Sequence, residues 1–279
     1  MGNTIFTATG CARCKITKRF MQKDNIPYEE FDFKAAGKDA FAQFYRANRS
    51  EIFRDKDGVE FPVFTDGSQI RQGVSVIIGH LIAGDRLKGF IQRSILHGEW
   101  IDGFNISSGD PAAADDLLRV LGFLKQNGLK LQLACNGKNS AVLAKLLDQG
   151  LGDRLIMEVK GPLALYSTLC GEEVNDEDVT QSIALASRFP QYEYFTAVAP
   201  LARPDGSIGF LTPEEIGATA RLIEESAGSK KNPYTLSTVN HKAATDERFK
   251  SLAPLASSAM FKYRTAARRY QVMTEIQKQ

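Results

Sequence analysis

Cysteine is scarce in this chain, with four in 279 residues, too few and too scattered to build a disulfide scaffold. Cys135 and Cys170 stand alone, without the neighbouring ligands that a four-coordinate zinc site needs. Histidine is scarcer still, at three, and His80, His97 and His241 show no ligand spacing. Long apolar runs are lacking too. Gly73 to Gly84, GVSVIIGHLIAG, falls well short of the roughly twenty residues of a membrane-spanning helix. The opening MGNTIFTATG has no basic stretch before an apolar core, so it does not read as a secretory signal. A cytoplasmic protein without a membrane partner is expected. There are no internal repeats or low-complexity tracts, and the net charge of +2 is not the one-sided excess of a nucleic-acid binder. The cluster Lys262, Arg264, Arg268 and Arg269 could meet an acidic partner or nucleic acid, but a solvated face is the plainer reading. No nucleic acid is expected.

What the chain does contain is concentrated near its start. From Ile5 to Phe20 it reads IFTATGCARCKITKRF: a β-prone run, a Thr9-Gly10 turn, Cys-x-x-Cys, then a basic helical pattern. Thiolate is the reactive form of cysteine, and a helix N-terminus offers free N–H groups and partial positive charge to stabilise it. Cys11 is placed at that terminus as nucleophile. Cys14, about one turn further in, is placed to resolve a mixed disulfide. Arg13, Lys15, Lys18 and Arg19 add positive charge. A structural pair or half of a zinc site are the alternatives; the missing ligands favour redox chemistry, and no metal is expected.

With 43% hydrophobic and 24% charged residues, the chain has the composition of a soluble globular protein, and its length suits one large domain or two. Tyr28 to Phe33 alternates as a strand, Gly37 to Arg49 has helical periodicity, and Val59 to Phe64 is a strand interrupted by Pro62. Asp66-Gly67 signals a hairpin, and Val74 to Leu87 closes the unit as a helix. This order, with Cys-x-x-Cys after the first strand and Pro62 at the third, resembles the glutaredoxin branch of the thioredoxin fold over residues 3–87. The resemblance implies a cis Phe61–Pro62 peptide facing the dithiol, with Arg13, Phe61 and Pro62 binding the substrate. The family's aromatic residue between the cysteines, its Thr-Val-Pro triplet and its Gly-Gly pair are replaced by Ala12-Arg13, Glu60-Phe61-Pro62 and Gln72-Gly73-Val74-Ser75. Those positions hold glutathione in the family.

The remainder, 88–279, alternates strands and helices at a pitch that argues for a parallel sheet. Strands are expected at Gly103–Ser107, Lys130–Ala134, Arg154–Val159, Tyr192–Val198 and Tyr234–Val239, with a capped helix starting at Thr212-Pro213-Glu214-Glu215. Asp102 to Pro111, Asn136-Gly137, Met157 to Lys160, Tyr166 to Gly171 and Tyr192 to Pro200 together resemble the motif series of radical SAM activating enzymes. Together with the glutaredoxin resemblance, this likeness implies an α/β chain made of a glutaredoxin domain, 1–87, and a partial (β/α) TIM barrel, 88–279. It also implies a ligand site formed by Ser108, Gly109, Asp110, Asn136, Glu158 and Lys160. The family's Cys-x3-Cys-x2-Cys loop is missing from the sequence. The expectation is therefore that neither SAM nor an iron–sulfur cluster is used, that no cofactor is required, and that glutathione is a candidate reductant.

The function expected is dithiol–disulfide oxidoreduction through Cys11 and Cys14, with the barrel as docking or ligand-binding domain and no radical SAM catalysis. The expected partners are a disulfide-bearing protein and a reductant, either glutathione or a thioredoxin-reductase-like enzyme. The alternative is a non-catalytic accessory, redox-sensing or iron–sulfur partner of an anaerobic radical enzyme system.

Overall fold

Ile5 and Phe6, adjacent in an extended run, send their side chains to opposite sides of a sheet, and both are buried. The structure, a computed structural model, describes residues 2–56, 58–203, 205–240 and 246–277; His241 lies outside them. It is an α/β protein that divides into two units, Met1–Leu131 and Gln132–Gln279.

In the first unit β1 (Asn3–Thr7) leads through Gly10, at φ 83°, into α1 (Ala12–Lys23). Then come β2 (Tyr28–Asp32), parallel to β1, and α2 (Lys38–Ala47). The short hairpin β3 (Arg54–Asp55) and β4 (Gly58–Val59) precedes β5 (Val63–Thr65), β6 (Ile70–Gln72) and α3 (Val74–Ala83). The sheet runs β2-β1-β5-β6, with β5 antiparallel to both of its neighbours. Register pairs Ile5 with Phe64 and Phe6 with Val63, and cross-strand partners share a face, so each face receives both residues of one pair. Ile5, Met21, Phe64 and Ile77 fill one side. Phe6, Cys14, Phe41, Ile52, Phe61 and Val63 fill the other. Each fully buried side chain of this size contributes about 1.5–3 kcal/mol.

The same unit continues through the hairpin β7 (Leu96–His97) and β8 (Trp100–Asn105) to α4 (Ala114–Gln126). The strand expected at Gly103–Ser107 ends early, because the Asn105 carboxamide accepts from Ser107 N at 3.1 Å and turns the chain into a 3-10 segment. Phe123 of α4 meets Phe20 of α1 edge-on at 5.1 Å, and Arg119 pairs with Asp24. Strand β9 (Lys130–Cys135) begins in the first unit and ends in the second.

The second unit carries α5 (Ser140–Asp148), β10 (Arg154–Glu158), α6 (Leu163–Cys170), α7 (Asp176–Ala186) and β11 (Gln191–Val198). After the hairpin β12 (Pro200–Ala202) and β13 (Ile208–Phe210) come α8 (Pro213–Ala227), β14 (Tyr234–Thr238), α9 (Glu247–Lys250), α10 (Met260–Ala267) and β15 (Thr274–Ile276). Strands β9, β10, β11, β14 and β15 pair in that order, all parallel. Thr212 and Glu215 form a reciprocal capping box at the start of α8, with Pro213 in its first turn. No described helix is long and apolar enough to cross a membrane.

Candidate functional site

Cys11 is the N-cap of α1, and its Sγ accepts a hydrogen bond from Cys14 N at 3.1 Å. The two cysteines form a disulfide. Cys11 is partly exposed, whereas Cys14, one helical turn on, is 2% exposed. The Phe61–Pro62 peptide is cis, in line with the glutaredoxin resemblance, and the Phe61 carbonyl oxygen lies 3.8 Å from Cys11 Sγ. Beneath the sulfurs is an aromatic floor, with Phe61 5.0 Å from Phe41 and 5.5 Å from Phe33 between ring centres. The arrangement offers one sulfur to solvent and shields the other, which suits stepwise exchange at a disulfide.

Arg13 is turned toward the sheet, where Nη1 donates to Glu60 Oε1 at 2.5 Å. Burial raises the Glu60 carboxyl above its usual range, while Arg13 and Arg93 pull it down. Arg93 itself stacks on the Phe53 ring at 3.5 Å. Gln72 ties the region together by donating from Nε2 to the Phe53 and Glu60 carbonyls and accepting from Phe53 N. Sequence reading did not find the Arg13–Glu60 pair. Its signal was a lone acid inside the apolar run Val59 to Phe64, opposite the one long cation between the cysteines.

The residues expected to form a second ligand site divide between the units. In the first unit, Gly109 lies so close to the Phe90 ring that a Cβ would sit 2.1 Å from its nearest atom. Close packing alone therefore demands glycine there. Asp110 Oδ1 accepts from Ala112 N at 2.9 Å and caps the turn at Pro111; Ser108 closes the preceding 3-10 segment. In the second unit, Lys160 pairs with Glu158 at 2.7 Å. The Tyr166 hydroxyl donates toward the carbonyls of Asn136, at 2.8 Å, and Glu158, at 3.3 Å. Burial holds that phenol neutral, well above its usual pKa. Cys135 is buried at the end of β9, where its Sγ accepts from Gly137 N at 3.4 Å. Cys170 closes α6. Burial pushes its thiol pKa up, against the pull of Lys160 and Lys138. Among the described residues, no three His, Cys, Asp or Glu side chains are grouped so as to hold a metal ion.

No protein-family model matches the sequence, and no curated protein matches it. Among solved structures, a domain of the pyruvate-formate lyase-activating enzyme from Bacteroides vulgatus is similar, with a TM-score of 0.42 and 12% identity. The match covers 62% of this chain and 98% of that one. At this distance it carries no argument about activity. It does correct the cofactor expectation, because a chain with an activating-enzyme neighbour gives no ground for discounting SAM or an iron–sulfur cluster. That expectation rested on a missing cysteine loop, and a count of ligands in one loop does not test a likeness of fold. It is withdrawn.

Proposed function

We propose that the chain is a glutaredoxin-like dithiol–disulfide oxidoreductase, with a thioredoxin-like fold around Cys11 and Cys14 and a partial (β/α) barrel that docks the target or a ligand. The observation that carries the reading is the Cys11–Cys14 disulfide at the head of α1 with the Phe61 carbonyl against its outer sulfur. In the reduced protein, Cys11 thiolate attacks one sulfur of a target disulfide. That bond breaks, a mixed disulfide forms, and the departing target thiolate takes up a proton. Cys14 then loses its proton and attacks Cys11 Sγ, which releases the second target thiol and leaves the Cys11–Cys14 bond. Two electrons pass from protein to target and are restored by glutathione or a reductase. Phe61 and Pro62 align the target chain, and Arg13 lies beside it.

Insulin serves as a disulfide-bearing test protein. Reduced wild-type chain should cleave its disulfides, and Cys14→Ser should stall as a thiol-sensitive adduct through Cys11. Failure of the wild type to reduce insulin, or an adduct that persists in Cys11→Ser, would count against the assignment.

A further inference from the structure

The dithiol uses none of α10, and this helix leaves an aromatic side chain uncovered. Met260, Tyr263 and Ala267 face inward and are buried, as spacing at three and four residues requires. On the outer face Phe261 is 54% exposed. A groove of about 580 Å³ runs between α8 and α10, with Gly217, Ala266 and Phe261 among its lining residues. The helices come close at Gly217, where a Cβ would stand 3.6 Å from the Ala266 carbonyl oxygen. Small residues there make a trough, and Phe261 forms a wall.

Its charge is one-sided. Arg221, Lys262 and Arg269 line the groove, against the single acid Glu214. Arg221 is paired with Glu225 at 2.7 Å. Lys262 and Arg269 have no ion-pair partner among the described residues. Lys262 lies in the first turn of α10 and Arg269 in the turn that follows its end at Ala267, so the two cations bracket the outer face of the helix. An exposed aromatic rimmed by unpaired cations is the composition of a protein-binding patch rather than of a solvated face.

We infer that the α8–α10 groove binds an acidic segment of a partner protein. The partner places an apolar side chain against Phe261 and carboxylates on Lys262 and Arg269. Nucleic acid fits less well, because Glu214 would face a continuous line of phosphates and the trough accepts a side chain. The inference is independent of the dithiol reading, since every residue it uses lies beyond Thr212.

The test uses the full chain and a fluorescein-labelled peptide with a central leucine flanked on both sides by glutamates. The control peptide has glutamine for glutamate, and an oligothymidylate serves as a second probe. Binding of the acidic peptide should exceed that of the glutamine peptide. It should fall about tenfold or more in Phe261→Ala, a loss typical of a central aromatic anchor, and again in the double variant Lys262→Glu/Arg269→Glu. Circular dichroism should show both variants folded, since all three side chains are exposed. Equal binding of the two peptides, or no effect of Phe261→Ala, overturns the proposal. Tighter binding of oligothymidylate makes the surface a nucleic-acid site. Concentration-dependent self-association abolished by Phe261→Ala assigns the groove to a second copy. Either result replaces the inference.

Discussion

The chain holds its four cysteines in two kinds of place, the start of one helix and the C-terminal ends of a strand and another helix. Cys11 stands at a helix N-terminus with an N–H aimed at its sulfur, partly open to solvent. Cys170 lies at the opposite polarity, at the C-terminal end of α6, and Cys135 is buried at the end of β9, where its sulfur too accepts an N–H. A helix C-terminus presents carbonyl oxygens, which disfavour a thiolate, and burial raises Cys170 further. Two nearby lysines do not reverse that direction. Burial, which outweighs the two lysines at Cys170, is what sets that thiol apart from the partly open Cys11.

The largest test of this contrast is removal. Cys11→Ser should abolish disulfide turnover, while Cys170→Ser should leave it at the wild-type rate. Turnover that survives the first change and fails with the second would invert the comparison.

A smaller effect is expected from the pair beside the dithiol. Arg13→Ala leaves the largely buried Glu60 carboxylate without its ion-pair partner and should cost about 1–3 kcal/mol of stability. The pH dependence follows from Glu60. Its native pKa is raised by burial, so the folded state holds the proton more tightly than the unfolded chain does. The contribution is fully present below the unfolded value and is lost as pH rises through the native one. Arg13→Ala raises that native value further and should steepen the loss, whereas Glu60→Gln should flatten it. Urea unfolding across the mildly acidic range reads all three proteins. A parallel loss in wild type and Glu60→Gln would show that Glu60 is not its source.

The smallest effect belongs to the second unit. The Lys160–Glu158 pair is about a quarter to a third exposed on each side, and pairs of that kind contribute ~0–1 kcal/mol. Lys160→Ala should therefore barely move the melting temperature and should leave insulin reduction intact. A loss of reduction would tie Lys160 to the redox step and erase the distinction between the two regions.

Much of this was legible in the sequence because it is local. Strand, turn, Cys-x-x-Cys and helix occupy consecutive residues, and Pro62 marks itself by interrupting an apolar run. The Thr212 capping box is written in four neighbouring letters. Arg13 and Glu60 are 47 residues apart, and no periodicity links them. The hairpin β12–β13 escaped because its strands are three residues each, too short to show alternation. Gly109 was placed in a ligand site by resemblance alone, and no neighbouring letter shows the Phe90 ring that the structure packs against it. Tyr166 was noted only as part of a motif, since nothing local shows that its hydroxyl reaches the carbonyls of Asn136 and Glu158.

Phe123 resting against Phe20 has a consequence for how the redox helix can be moved or inherited. Phe20 is 2% exposed, and part of its cover comes from α4, far along the chain from the region that resembles a glutaredoxin. Residues 1–87 taken alone would bare that ring and strip Asp24 of Arg119. The dithiol segment is thus not a free-standing cassette. Transplanting it into another protein means carrying residues to the end of α4 or redesigning Phe20 as a polar side chain. Enlarging or charging either ring position would be felt at the other, since the two rings touch edge to face.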